Sequence, residues 1–503
     1  RVAQAPPFSL NGFDQSLASL SNSGTVRLGA AGATPGTILT TGNYVGSGTI
    51  ALNTFIGADN SPTDKLVING GSASGGPSTL AITKAGGGGD LTVGNGIAVV
   101  ETAAGGTTGA NAFRLGSPLI AGPYEYTLNR GSKDASAPDN WYLRSTVNCA
   151  SPDAPASLCT VPAAEPPNYR PEVSLYAAIG STALDYGRTL LDTLHERVGE
   201  EAILRGRADL VSQGGGRVQG GWARLIGSHG KQDGSARGIY DGAPPYDYDF
   251  RGVQSGGDLW RSESAEGRRN FAGVYGAIGY AKSDVEHVGG QRAGANRLDG
   301  YTVGGYWTGY GPGDAYLDAV VQATWYDSTS ESARGLADFK THGWGIAGSL
   351  EGGYPFKLEN NWIVEPQAQL TGQQIDLANG TDAGAVVKFD DVNSLAGRLG
   401  VRVARTIALS GAPGDANARL LTSWARASAW HEFAGNPTTS FSSATGFIPF
   451  RTDTGGSWWE LKGGITGEVA RNTFVFGSLG YQRGFDGDRW AWDAKVGMRM
   501  HWQ

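Results

Sequence analysis

Cysteine, charge and helix-length apolar runs are all scarce in this chain of 503 residues. The two cysteines, Cys149 and Cys159, lie close together in NCASPDAPASLC, a spacing that excludes a CxxC metal knuckle. They read as a local disulfide formed in an oxidising compartment or as two free thiols. Charged residues make up 17% of the chain, the formal net charge is −7, and no basic stripe occurs. Nucleic acid is therefore not an expected partner. No run of about 18 apolar residues appears, which excludes a transmembrane helix but not a barrel, whose strands need only alternate residues to be apolar. The chain opens at Arg1 without initiator methionine or apolar leader, as a processed or partial sequence does.

Catalytic signatures are absent as well. HERVGE at 195–200 is not HExxH, because Gly199 stands where the second histidine belongs. GSHG at 227–230 lacks the glycines of a nucleophile elbow. The six histidines are scattered without metal-ligand spacing, and His501 reads as a solvated or hydrogen-bonded residue. Gly86–Gly89 precedes a strand-like run rather than a helix, so it is no phosphate cradle. The sequence predicts no catalytic, cofactor-binding or metal-binding residue, no cofactor, and no enzyme.

Glycine, by contrast, is abundant at 80 residues, with 14 tryptophans and 19 tyrosines. That composition suits many strands with close backbone approach. Three textures follow one another. Residues 1–145 hold short strand-like pieces (GSGTIALNTF, DKLVING, STLAITK, GIAVVET) separated by Gly, Asn and Asp turns, which predicts a solenoid or sandwich. Tyr124, Tyr126, Trp141 and Tyr142 cluster near its end, where a solenoid must cover its last exposed rung. Residues 146–171 are rich in Pro, Ala and Ser and read as a linker. Residues 172–210 alone have helical periodicity, through Ala178, Ala183, Leu184, Leu190, Leu191, Leu194 and Val198, with Pro171 at the start. Glu196, Arg197 and Glu200 crowd its end; the plain alternative is a surface helix with a solvated charged face.

Residues 217–503 alternate apolar with polar. Twelve strands are predicted, beginning near 217, 252, 270, 298, 315, 342, 361, 393, 418, 457, 473 and 490. In the last of them Trp490, Trp492, Ala494, Val496, Met498, Met500 and Trp502 form one face and Asp493, Lys495, Arg499 and His501 the other. The strands are ten or more residues long, whereas soluble sandwich strands run about five or six. Trp325, Tyr326, Tyr354, Trp362, Trp490 and Trp502 gather toward strand ends, as rings do at lipid interfaces. The pattern predicts a closed antiparallel membrane barrel with Glu365, Arg398, Arg402, Glu460, Lys462, Asp493, Lys495 and Arg499 in its lumen, the cations pairing with Glu351, Glu365, Glu460 and Asp493. These carboxylates read as structural ion-pair partners. Connectors alternate between short (GYGPGD, VARNT) and long and polar, the usual asymmetry of such barrels.

With the three regions in this order, the chain resembles the classical, pertactin-like autotransporters of type V secretion. GSGTIALNTFIGADNSPTDKLVINGGSASG at 46–75, GPYEYTLNR at 122–130 and WYLRS at 141–145 look like the end of that family's β-helical passenger. YRPEVSLYAAI at 169–179 and GRTLLDTLHERVGE at 187–200 look like the segment forming its barrel-plugging helix. The resemblance implies an all-β fold: the last rungs of a right-handed β-helix, a linker, a pore-spanning helix and a 12-stranded translocator. It implies a monomeric Gram-negative outer-membrane protein that exports and anchors its own passenger at the cell surface. Region 25–145 would be an autochaperone segment. Outer-membrane lipid, periplasmic chaperones and the barrel-assembly machinery are the implied partners; the last reads a terminal aromatic, here Trp502, followed in this chain by Gln503. No asparagine pair for intrabarrel self-cleavage occurs between 172 and 206. A passenger acting as an adhesin for host ligands is the second reading, and an outer-membrane protease or lipase the third.

Overall fold

The computed structural model describes residues 7–160, 165–200, 220–390, 392–410, 419–470 and 472–502. The chain divides into two compact units. The first comprises residues up to Val173 together with 381–387 and 440–449, and the second comprises the rest.

In the first unit short strands stack in parallel. Thr25–Arg27, Thr49–Thr54, Ser78–Lys84 and Phe113–Leu115 form one ladder. Gln15–Asn22, Ile38–Gly46, Lys65–Asn69 and Ile97–Ala103 form another. Each strand recurs one coil later, so apolar residues at equivalent positions pile into a continuous core that includes Leu39, Leu52, Leu66, Leu80 and Ile97. The carboxylate of Asp64 accepts from the amides of Gly36, Thr37 and Asn53 at 2.8–2.9 Å. The stack ends where the direction reverses. Trp141–Arg144 pairs antiparallel with both Tyr124–Arg130 and Ile97–Ala103.

The second unit is a closed barrel of twelve antiparallel strands: β1 Gly220–Gln232, β2 Tyr246–Glu263, β3 Arg269–Glu286, β4 Arg292–Tyr310, β5 Tyr316–Ser332, β6 Phe339–Gly353, β7 Trp362–Leu377, β8 Val392–Ser410, β9 Arg419–Glu432, β10 Gly456–Ala470, β11 Thr473–Gly484 and β12 Arg489–His501. The circle closes as β12 pairs with β1, from Gly220 opposite His501 to Gln232 opposite Arg489. Every strand thus has two neighbours, and no backbone edge faces lipid. The strand expected near 252 begins six residues earlier at Tyr246, and that expected near 298 begins at Arg292. Both run into polar residues above the apolar band, where alternation of hydrophobicity carries no signal. The expected start near 217 lies outside the described residues.

Alternation sorts side chains as the pleat requires. Outward-facing Ile278, Val321, Leu399 and Leu479 are 64%, 61%, 70% and 69% exposed. Inward-facing Arg224, Arg398, Arg402 and Arg426 are almost wholly buried. One aromatic differs from expectation. Trp325 points outward, but its neighbour Tyr326 points inward and meets Tyr186 edge-on at 5.5 Å. Successive residues of a strand cannot share a face.

Candidate functional site

The barrel interior is filled by its own chain. Helix α1, Pro171–Leu191, opens with proline at its first position, carries Glu172 in its first turn and Arg188 in its last, and so complements the helix dipole at both ends. From Ser174 onward its groups hydrogen-bond to the inner wall. Tyr186 donates to the Gly300 carbonyl at 2.8 Å, Gln322 donates to the Gly187 carbonyl at 3.1 Å, and Gln373 donates to the Leu184 carbonyl at 3.1 Å. Gly300 is required here, because a Cβ on it would lie 2.4 Å from the Tyr186 ring.

The helix is not continuous to residue 210 as its periodicity suggests. It breaks at Asp192, whose φ is +52°, and a five-residue helix α2, Leu194–Val198, follows. A single left-handed residue ends one helical screw and starts another. Residues 201–210 lie outside the described residues.

The plain alternative for HERVGE, a solvated charged face, is wrong: its charged residues are buried against the barrel wall. His195 Nε2 lies 3.1 Å from Glu365. Glu196 accepts from Arg426 at 2.6 Å, Lys495 at 2.7 Å and Lys462 at 3.1 Å. Arg197 forms a fork to Asp318 at 2.7 and 3.1 Å and stacks over the Tyr306 ring. Glu200 pairs with Arg402. The Leu194 amide donates to Glu351 at 3.0 Å. Burying a charge is tolerable only when it is paired and hydrogen-bonded, and each charged side chain of α2 meets that condition.

The lumen residues named from sequence all point inward, with partners partly as expected. Arg398 pairs with Glu351 at 3.1 Å, and Lys462 with Asp493 at 3.1 Å and Glu460 at 3.4 Å. Lys495 reaches Asp493 at 3.1 Å and also Asp192 at 2.6 Å. Arg402 lies 3.9 Å from Glu365. Arg499 departs from expectation: its partner is Asp258 at 2.9 Å on β2, reached around the closure of the barrel. His501 is buried beside Phe474 rather than solvated. Sequence reasoning placed Asp318 on the polar face of its strand but did not single out Arg224, Asp192, Asp258 or Arg426. Arg224 donates to Asp192 at 2.7 Å and to the Leu190 carbonyl at 2.9 Å. It shares the inner face with Trp222 while Ala223 and Leu225 face out, and an apolar ring among the inward residues blurs the alternation; SWARASAW likewise left the phase of Arg426 ambiguous. A cavity of about 70 Å³, room for a few waters, lies between helix and wall beside Arg188 and Trp458.

In the first unit the four end aromatics are buried. The Tyr126 hydroxyl has the carbonyls of Asp90 and Gly57 within reach of its one proton, at 2.7 and 2.8 Å, and accepts from the Asp90 amide. Trp141 donates to Thr108 at 3.0 Å and meets Phe113 edge-on. Tyr142 lies under Arg144, and Tyr124 stacks on Tyr169 at 5.8 Å. Burial, then the neighbouring Tyr169 and Asp90, push the Tyr124 hydroxyl up to about 12. Cys149 and Cys159 are joined by a disulfide. Arg170, buried, pairs with Asp382 at 2.5 and 3.0 Å. Trp502 is exposed just beyond β12; Gln503 lies outside the described residues.

An apolar exterior, a charged interior and a bore occupied by the chain's own helix define an outer-membrane β-barrel of the self-plugged kind. Comparison with known proteins narrows the class. The family model described as "Autotransporter beta-domain" matches residues 221–480, and that described as "Autochaperone Domain Type 1" matches 16–128. The adhesin BmaC autotransporter of Brucella suis biovar 1 (strain 1330) is 32% identical over 400 residues, covering 76% of this chain and 11% of the adhesin. The uncharacterized protein YdeU of Escherichia coli (strain K12) is 31% identical over 395 residues, covering 74% of this chain and 79% of YdeU. The transport unit of the autotransporter AIDA-I from Escherichia coli superposes with a TM-score of 0.54 at 20% identity, over 67% of this chain and 100% of that structure. The chain belongs to the autotransporter family. Its barrel is the family's β-domain, an outer-membrane β-barrel.

Proposed function

We propose that residues 1–145 are the end of the passenger with its autochaperone segment, 146–171 the linker, 172–210 the pore helix and 217–503 the translocator. The observation that carries this reading is the burial of α1 and α2 inside a closed barrel, with each charged side chain of α2 paired to the wall. On this reading the helix is the part of the exported chain that stays behind as tether and plug. The stacked strands, with Tyr124, Tyr126, Trp141 and Tyr142 closing them, form the seed on which preceding rungs fold, since adding to a formed rung is easier than nucleating one. Trp502 serves as the signal for the barrel-assembly machinery, periplasmic chaperones accompany the unfolded barrel, and the barrel acts as a monomer. The chain itself performs no catalysis.

The chain spans 11% and 28% of the lengths of BmaC and YuaQ, two of the relatives it matches. An adhesive role for the passenger, as the name of BmaC states for that protein, is the second reading. Deleting 172–206 tests the plug. Planar-bilayer conductance of the deletion protein should rise several-fold over the intact chain, and unchanged conductance would refute the reading.

A further inference from the structure

We propose that the loop from 148 to 160 is a cut-tolerant tether: one backbone cut within it leaves the preceding part of the chain held by two independent locks, one covalent and one not.

The covalent lock is the disulfide. Cys149 and Cys159 bracket the excursion, so a break at any bond between them leaves the two sides joined through sulfur. The bracketed residues are the accessible ones: Pro152, Asp153 and Ala156 are exposed, and the described backbone hydrogen bonds of 151–159 stay within the loop's own turns. An exposed tip with small residues and only local bonds is where proteases cut first.

The second lock is the return of the chain. After the excursion, residues 165–170 run back alongside the segments they left. The Val147 amide donates to the Pro166 carbonyl at 2.8 Å and the Asn168 amide to the Ser145 carbonyl at 2.7 Å. On the other side the Glu125 amide donates to Asn168 and the Arg170 amide to Pro123, both at 2.9 Å. The Asn168 side chain donates to the Glu125 carbonyl at 2.8 Å. Lys133 pairs with Glu165 at 3.0 Å, Tyr169 stacks on Tyr124, and Arg170 donates to the Gly122 carbonyl at 2.8 Å. The strip 165–170 is thus sewn on both sides to residues that precede the loop, while its own chain continues into α1. Two further bonds tie the early residues to segments that leave the barrel strands: Gly122 donates to Gly384, and Ala444 to Gly89. Release therefore requires three events: a cut, a reductant, and peeling of the strip.

The test uses the full chain, folded in detergent, with a site-specific protease sequence inserted between Ala154 and Pro155 and an affinity tag at the C-terminus. After cleavage the two halves should run as one species on a non-reducing denaturing gel and as two on a reducing gel. Under native conditions with reductant present, the early half should still co-purify with the tagged half. It should elute only on heating or with denaturant. In the N168A/Y169S variant, cut and reduced, at least about tenfold more of the early half should be lost in the native wash, as removal of the Asn168 side-chain hydrogen bond to Glu125 and of the Tyr169 ring stack implies. Two bands on the non-reducing gel would overturn the covalent lock. Loss of the early half on reduction alone would overturn the second lock. Should N168A/Y169S not fold, the cut and reduced parent chain still decides the matter.

Discussion

Arg197 in α2 grips Asp318, the third residue of β5, through two parallel hydrogen bonds at 2.7 and 3.1 Å. The fork matches guanidinium to carboxylate, and both side chains are almost wholly buried. Truncating one partner leaves the other charged and uncompensated, which costs about 3–5 kcal/mol in buried pairs. Asp318→Ala should lower the midpoint of heat-induced unfolding on semi-native gels and raise the frequency of channel openings in planar bilayers. The control Asp241→Ala, on an exposed loop, should change neither.

Glu196 gathers Arg426, Lys462 and Lys495 around one carboxylate. Glu196→Gln keeps the shape and removes the charge, so the three cations lose their shared carboxylate and keep only Glu460, Asp493 and Asp192. The plug of this variant should loosen more than that of a variant at an uncharged contact such as Tyr186→Phe, with single-channel recordings as the measure. Equal leak in both would show that the cations are not held by Glu196.

Trp141 covers the end of the stacked strands. Trp141→Ala removes a large buried ring at a cost of about 3–5 kcal/mol. The expected outcome is slower appearance of protease-resistant passenger at the cell surface, with the barrel itself inserting normally.

The outer face makes the opposite demand. Leu399 points into hydrocarbon midway along β8. Leu399→Lys should destabilise the folded barrel by about 2–4 kcal/mol, whereas a lysine near the interfaces should cost about 1 kcal/mol or less. Urea titrations in lipid vesicles measure both.

Asp382 gives a pH dependence. Burial alone would raise its carboxyl, but the Arg170 guanidinium and the Gly384 and Ala385 amides together hold it below the usual carboxylate range. Glu172 at 3.7 Å from Arg170 and Lys84 face the same cluster. A carboxylate held low in the folded state contributes stability above its unfolded value, about 3.9, and that contribution fades as pH falls further. Asp382→Asn should therefore destabilise the first unit at neutral pH and make little difference near pH 2, as thermal melts at the two values would show.

Much of the barrel was legible because lipid enforces a strict rule. Leu317, Val321 and Trp325 face out and Asp318 faces in, and one residue of error would reverse every one of them. Strand ends at Tyr246 and Arg292 were not legible, since above the apolar band both faces are wet. The kink at Asp192 was hidden too, because helical periodicity continues on both sides of a single left-handed residue. The pairing of Arg170 with Asp382 joins positions 212 apart in sequence, and no local pattern announces such a partner. Arg499 was expected among neighbouring carboxylates. It found Asp258 because closure places β12 beside β1, one strand from β2.

The kink divides the threaded segment into two grips of different character. Along α1 the wall is met mainly by hydroxyls, amides and carbonyls, with the Tyr186 ring seated against Gly300 and Arg188 near Glu432. Along α2 each charge has an assigned mate, so only one seating satisfies them all. On the proposed reading, the five residues Leu194–Val198 set the depth at which the threaded segment comes to rest.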